Sequence, residues 1–231
     1  LRAVVINGIE HLVVALQRFR QAHDGLDGAR LGKDGRGFVA VQVGDELLGK
    51  VLMLGGAEGY SGSILRGQGF NDALATRPDI TVLDYKYHKF DKVSAMTQME
   101  DWITKYGGDG FDAIFSENDA MALGAIEAMN SAGIDAKAKV ICGVDALYEG
   151  CMAIKEGYID ASSAQSSDDY ANALIDRIEK LQSGEVDSHC VDDQIFNALL
   201  VTQDNVDEML ARYAELGYDH EPKNIAPTAA S

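Results

Sequence analysis

Positive charge is scarce in this chain. Lys and Arg number 20 against 37 Asp and Glu, for a formal net charge of −17. Such a surface repels other polyanions, which excludes nucleic acid and anionic membranes as partners. Long apolar runs are missing as well: no window approaches the roughly 18 uninterrupted apolar residues of a membrane span, so no direct membrane insertion is expected. No basic, then apolar, then small-residue pattern opens the chain. It begins "LRAVVING", in mid-strand by its pattern. The true start is therefore expected to be missing, and the absent signal says little about compartment. Cysteine is sparse and odd in number, so Cys142, Cys151 and Cys190 cannot all pair within the chain. Cys142 falls in an apolar strand pattern and Cys151 in a helical one, which makes both small core residues. Cys190, beside His189, lacks further ligands at metal-binding spacing, and no metal or other cofactor is expected. P-loop, G-x-S-x-G and His-Glu-x-x-His motifs are all absent, which leaves hydrolase and kinase chemistry without a foothold.

What is present is an alternation. "KVLMLGG" is a short apolar run closed by glycines and reads as a buried strand. A helix follows from about Ser63 to Arg77, then the strand "DITVLDY". The next helix, "FDKVSAMTQMEDWITKY", carries Val93, Met96, Met99, Ile103 and Tyr106 at three- and four-residue steps. Trp102, on the same helix, is expected to be partly buried against the sheet. "FDAIFS" is a strand, residues 120–132 a helix, "KVICGVD" a strand, "LYEGCMAIKEG" a helix and "YIDASSAQ" a strand. "SDDYANALIDRIEKLQSG" is a helix with an acidic start and a solvated acidic face. "IFNALLVT" and "NVDEMLARYAEL" complete the order. This is the pattern of βαβ units and a parallel sheet covered on both faces.

Open parallel sheets bind ligands outside the carboxyl ends of their strands. The residues that the pattern puts there are Asp84, Asn118, Asp145 and Gln165, each polar after an apolar run. Asn and Asp at such junctions also serve as helix N-caps. The expectation is that Asp119 caps and that Asn118, one position nearer the strand, faces the cleft.

From about Lys50 to Gly184 the sequence resembles the periplasmic solute-binding proteins of the ribose and galactose type, which share their fold with the effector domains of lac-repressor-like regulators. The motifs "GSILRGQGF", "FSENDAMALGAIEAM", "VICGVDALYEG" and "IDASSAQ" carry the resemblance, in the family's order and spacing. It continues more weakly in "VVALQRF". The resemblance implies an α/β, doubly wound fold of two lobes that close on a small ligand. It also implies that Asn118, Asp145 and Gln165 hydrogen-bond sugar hydroxyls, that Phe90 packs near the ligand, and that Arg18 is a cleft arginine. The protein would then not be an enzyme. It would be the substrate-binding component of an ABC-type transporter, periplasmic or secreted, with a small sugar or polyol-like solute and a transporter permease as partners.

Two departures follow from the same comparison. Ile64 stands where sugar binders carry a ligand-contacting arginine, Arg66 matches a different family position, and Gln17 stands beside Arg18 where an aspartate is usual. A smaller or less polar solute than ribose or galactose is therefore expected. The first fifty residues also lack the helices that would join their apolar runs, since a parallel crossover needs a dozen or more residues. The amino-terminal lobe is expected to be incomplete by truncation, deletion or omission: residues 1–45 with 166–195 form its remnant, 46–165 with 196–216 the carboxy-terminal lobe, and 217–231 a tail. Two rival readings stand beside this one. The alternative is the effector-binding core of a lac-repressor-type transcription regulator, which shares the fold. Less well, "VLMLGGAEGYSG" suggests a dinucleotide-dependent oxidoreductase, although Ala57 replaces the first glycine of G-x-G-x-x-G.

Overall fold

The computed structural model describes residues 49–75, 77–165, 167–187 and 198–218. Arg18, Gln17, His189, Cys190, nearly all of the expected tail and nearly all of the first fifty residues fall outside those residues. In chain order the described elements are β1 (Lys50–Gly55), α1 (Ser61–Leu74), β2 (Thr81–Tyr87), α2 (Lys92–Tyr106), β3 (Ala113–Ser116), α3 (Asp119–Ser131), a 3-10 turn (Ala136–Ala138), β4 (Val140–Asp145), α4 (Tyr148–Glu156), β5 (Ala161–Ala164), α5 (Ser167–Ser183), β6 (Leu199–Thr202) and α6 (Val206–Glu215).

The strands lie in the order β2-β1-β3-β4-β5-β6. All neighbours pair in parallel except β5 and β6, which run antiparallel with Ala164 opposite Leu199. The last pair departs from an all-parallel sheet for a topological reason. Chain that leaves at the carboxyl end of β5 returns to the sheet at that same end, so it re-enters in the opposite direction.

Apolar runs without alternation form the central strands because both faces of the sheet are covered. Leu52, Leu54, Ile114, Ile141 and Val201 pack on one side with α2, α3, α4 and α6. Val51, Met53, Phe115 and Cys142 pack on the other with Phe70 of α1, whose ring stacks on Phe115 at 4.7 Å. Cys142 and Cys151 are buried free thiols of that core. In α2 the fully buried residues are Ala95, Met99 and Trp102; Met96, Ile103 and Tyr106 of the expected row pack partly buried against the same core, and only Val93 is exposed. Trp102 is fully buried rather than partly so, and its indole N–H donates to Asp84 Oδ2 at 3.1 Å. Asp84 is not at a strand end: it lies in mid-β2, beside a register shift opposite Val51 and Leu52, and its carboxylate is held by Trp102 and the Tyr85 amide. Ends of helices follow local chemistry. Asp91 caps α2 through the Ser94 amide at 2.7 Å, and Gly107 and Gly157, both at positive φ, close α2 and α4.

Candidate functional site

Because β1 to β5 are parallel, their carboxyl ends share one edge, and the turns leaving that edge carry the polar residues. Among the described residues, four non-glycine residues have positive φ, and all four lie there: Lys89 and Phe90 after β2, Asp145 and Ala146 at the end of β4. Such backbone costs on the order of 1–3 kcal/mol per residue and persists where surrounding interactions over-determine it.

Phe90, Asn118, Asp145 and Gln165 come together at this edge. The Asn118 side-chain N–H donates to the Phe90 carbonyl at 3.3 Å, and Gln165 Nε2 donates to Asp145 Oδ1. The two pairs are joined by Arg66, projecting from α1. One of its terminal nitrogens donates to the Glu117 carbonyl at 2.7 Å, and the other lies 3.7 Å from Asp145 Oδ1. Its guanidinium carbon sits 5.8 Å from the centre of the Phe90 ring, and Tyr60 meets that ring edge-on at 5.9 Å. Burial raises the Asp145 carboxyl above its ordinary range, and the charge of Arg66 and the Gln165 hydrogen bond oppose it. Arg66 is the residue that sequence reasoning left out of the site. Ile64, two positions earlier, is 53% exposed, while Arg66 is the arginine that reaches the cluster. About half a turn of helix explains the difference, since residues two apart on a helix point to different sides.

The cap falls on Asn118 and not, as expected, on Asp119. Asn118 is the N-cap of α3: its backbone is extended and its Oδ1 accepts the Met121 amide at 2.9 Å. A cap must be the last extended residue, because only there does the side chain reach back over the first turn. Asn118 keeps one amide N–H beyond those two bonds. Asp119, first residue of α3, is fully buried and reaches sideways to Ser162 Oγ at 2.6 Å and the Leu147 amide at 2.8 Å.

Glu117 closes the floor under β1. Its carboxylate accepts from the Gly56 amide at 2.9 Å and from the Tyr85 hydroxyl at 2.7 Å, and burial together with Tyr87 and Glu117 pushes the Tyr85 phenol up. In a dinucleotide fold the amides of this first turn face a pyrophosphate. Here Gly56 already binds a carboxylate and the Ala57 amide binds Ser63 Oγ at 3.1 Å. A second anion would meet Glu117 instead of free donors.

An arginine from α1 thus clusters with a carboxylate, two carboxamides and an aromatic at the carboxyl edge of the sheet. Comparison with known proteins gives the family. The family described as the periplasmic binding protein domain matches residues 16–185, and the chain belongs to it. The xylitol-binding protein of Mycolicibacterium smegmatis is 32% identical over 159 residues, 69% of this chain and 44% of its own length. The ribose import binding protein of Salmonella typhimurium is 32% identical over 165 residues, 71% of this chain and 53% of its own. Among solved structures, an ABC transporter solute-binding protein from Bacillus halodurans with bound myo-inositol is 28% identical with a TM-score of 0.62, over 71% of this chain and 55% of that one. The chain thus spans about half the length of the curated relatives it matches. The fold is that of the type I periplasmic binding proteins. These relatives are binding proteins and not enzymes, so the oxidoreductase reading is withdrawn, and they do not favour the transcription-regulator reading.

Proposed function

We propose that this chain is part of the substrate-binding component of an ABC-type transporter, and that its ligand is a small sugar or polyol. The observation that carries this reading is the single cluster made by Arg66, Phe90, Asn118, Asp145 and Gln165 at the carboxyl edge of the sheet. A sugar or polyol hydroxyl both donates and accepts. Arg66 and the remaining Asn118 N–H serve it as donors, and Asp145 and the Gln165 carbonyl as acceptors. Phe90 offers a face to the C–H side of the molecule. A ligand lacking a hydroxyl at one of these places leaves a buried polar group unpaired, at about 1–3 kcal/mol each, and that penalty makes the selection. Arg18 joins the site from the other lobe on this reading.

The domain assignment belongs to the same proposal: residues 46–165 with 196–216 form one lobe, and 1–45 with 166–195 belong to the other. It is supported by α5, where Leu174, Ile175, Ile178 and Leu181 are all between 39% and 54% exposed among the described residues. A row of that kind is a buried face awaiting its partner. A periplasmic or secreted location and a permease partner are part of the same proposal, supported by the likeness to an import binding protein and to an ABC transporter solute-binding protein.

The test is thermal unfolding of the protein with D-ribose, xylitol, myo-inositol and NAD. At about a hundred times its dissociation constant a ligand adds roughly 2.7 kcal/mol of stability. Stabilisation by one sugar or polyol, lost in Asp145→Ala, is the expected result. Stabilisation by NAD alone would overturn the reading.

A further inference from the structure

Asp119 is a carboxylate without solvent, placed beneath the site and used by nothing described so far. Its Oδ2 accepts the Leu147 amide at 2.8 Å. Its Oδ1 accepts the Ser162 hydroxyl at 2.6 Å, and Ser162 Oγ in turn accepts the Ala146 amide at 2.9 Å. The two amides so anchored are those immediately after Asp145. Asp145 and Ala146 are at φ 104 and 50, backbone that neither residue type favours. The Asp145 turn is therefore held from below by one side chain acting twice, once directly and once through Ser162.

The surroundings are cut to admit that side chain. A Cβ at Gly143 of β4 would lie 2.1 Å from Asp119 Oδ1, and a Cβ at Gly150 of α4 would lie 2.2 Å from Oδ2. Neither glycine has positive φ, so it is the carboxylate, and not backbone geometry, that keeps both positions bare. Ala146 is itself pinned from the far side, its carbonyl accepting the Tyr213 hydroxyl at 2.7 Å and the Cys151 thiol at 3.3 Å.

We infer that Asp119 is the positioning residue of the ligand site: its ionised carboxylate holds the Asp145–Ala146 turn in left-handed backbone and so aims the Asp145 side chain at the ligand. This rests on the proposed sugar or polyol site only for its effect on binding; the hold on the turn stands without it. Ionisation matters because of the direction of the chain. With the carboxylate charged, Ala146 N–H donates to Ser162, and Ser162 donates to Asp119. Protonated on Oδ1, Asp119 must donate to Ser162 instead, and the hydroxyl hydrogen of Ser162 loses its acceptor. Burial pushes the Asp119 carboxyl up to about 7, with the charge of Asp145 adding to it and the bonds from Ser162, Leu147 and Ala146 opposing it. The other titratable groups that face it are the Cys151 thiol of α4 and the Tyr213 phenol of α6, both pushed up to about 12 and so neutral across this range. The turn is thus expected to loosen as pH falls through neutrality.

The test has two independent readouts. Without any ligand, amide hydrogen-exchange protection at Ala146 and Leu147 is measured from pH 5.5 to 8.5 in the wild type, Asp119→Asn and Ser162→Ala. Expected are protection that rises with pH in the wild type, loss of that rise in Asp119→Asn, and selective loss at Ala146 in Ser162→Ala. Ser162→Ala keeps the buried charge and its Leu147 bond, so the test survives if Asp119→Asn does not fold. The second readout is the affinity for D-ribose, xylitol and myo-inositol, expected to fall roughly tenfold in either variant, the lower end for one charge-assisted hydrogen bond. Wild-type protection at both amides in Ser162→Ala, or a pH profile unchanged in Asp119→Asn, overturns the positioning role. If none of the three solutes binds any variant while the exchange results hold, the ligand class is wrong and the positioning role stands.

Discussion

Gly56→Ala examines the seat of Phe90, the aromatic face of the proposed site. A Cβ at Gly56 would lie 2.1 and 2.2 Å from Phe90 ring atoms and 2.6 Å from Ser63 Oγ. No real contact is that short, so the ring must leave its place beside Arg66 and Tyr60. Overpacking of this kind costs about 1–3 kcal/mol. Phe90 is only half-buried, so Phe90→Ala alone should cost less than the 3–5 kcal/mol of a fully buried ring. The two costs should not add. With the ring gone the new methyl occupies vacated space, and only the Ser63 contact resists it. A double-mutant cycle in urea should therefore give a coupling of about 1–3 kcal/mol, favourable to the pair. At this chain length each kcal/mol moves Tm by about 2–4 °C, so thermal unfolding checks the same cycle. Additive costs would refute the reasoning, because they would mean that the ring does not rest on Gly56.

Arg66→Met keeps much of the side-chain volume and removes the donor to the Glu117 carbonyl and the cation near Asp145. Calorimetric affinity for the sugar or polyol that binds should fall by about 1.5–3 kcal/mol, the value of a charge-assisted hydrogen bond, and the Asp145 carboxyl, followed by NMR, should titrate higher; unchanged titration would mean that the 3.7 Å pair does not form. Gly124→Ala sets two effects against each other: helix propensity favours alanine by about 0.8–1.0 kcal/mol, but its Cβ would lie 2.3 Å from the Lys92 carbonyl oxygen, backbone that cannot rotate away. Sterics should win, and a higher Tm would count against the close approach of α2 and α3. The pH dependence of Asp119 has an unusual sign. Its folded-state value is raised from 3.8 to about 7, so its contribution to stability is present below 3.8 and lost as pH rises through about 7. The Tm advantage of wild type over Asp119→Asn should be larger at pH 5 than at pH 8, opposite to the course expected for ligand affinity.

Much of the site could be read from order along the chain. Apolar runs that end in a polar residue mark strand ends, and parallel pairing brings strand ends to one edge. Asn118, Asp145 and Gln165 were legible for that reason, and Phe90 by family resemblance. Arg66 was not. A lone arginine in a helix gives no periodic signal, and its place depends on how α1 is rotated against β1 and β3. Asp84 was misplaced because a register shift in β2 carried the strand three residues beyond it. The α2 stripe held at Met96, Met99, Ile103 and Tyr106 and failed at Val93, while Trp102 is buried deeper than expected because its polar atom is satisfied by Asp84.

The pair Asn118–Asp119 separates the two kinds of knowledge. By itself the sequence determined that a strand stops and a helix starts there, because the hydrophobic period changes and a capping residue type stands at the change. It also determined the α/β alternation, the family and the edge of the sheet that carries the candidate site. Which of two adjacent polar residues caps, and which is buried, was decided by tertiary structure alone. Both residue types cap equally well in isolation. Only the room left by Gly143 and Gly150, and donors at Ser162 and Leu147 that lie 43 and 28 residues away, let the Asp119 carboxyl sit in the interior, where burial still pushes it up to about 7.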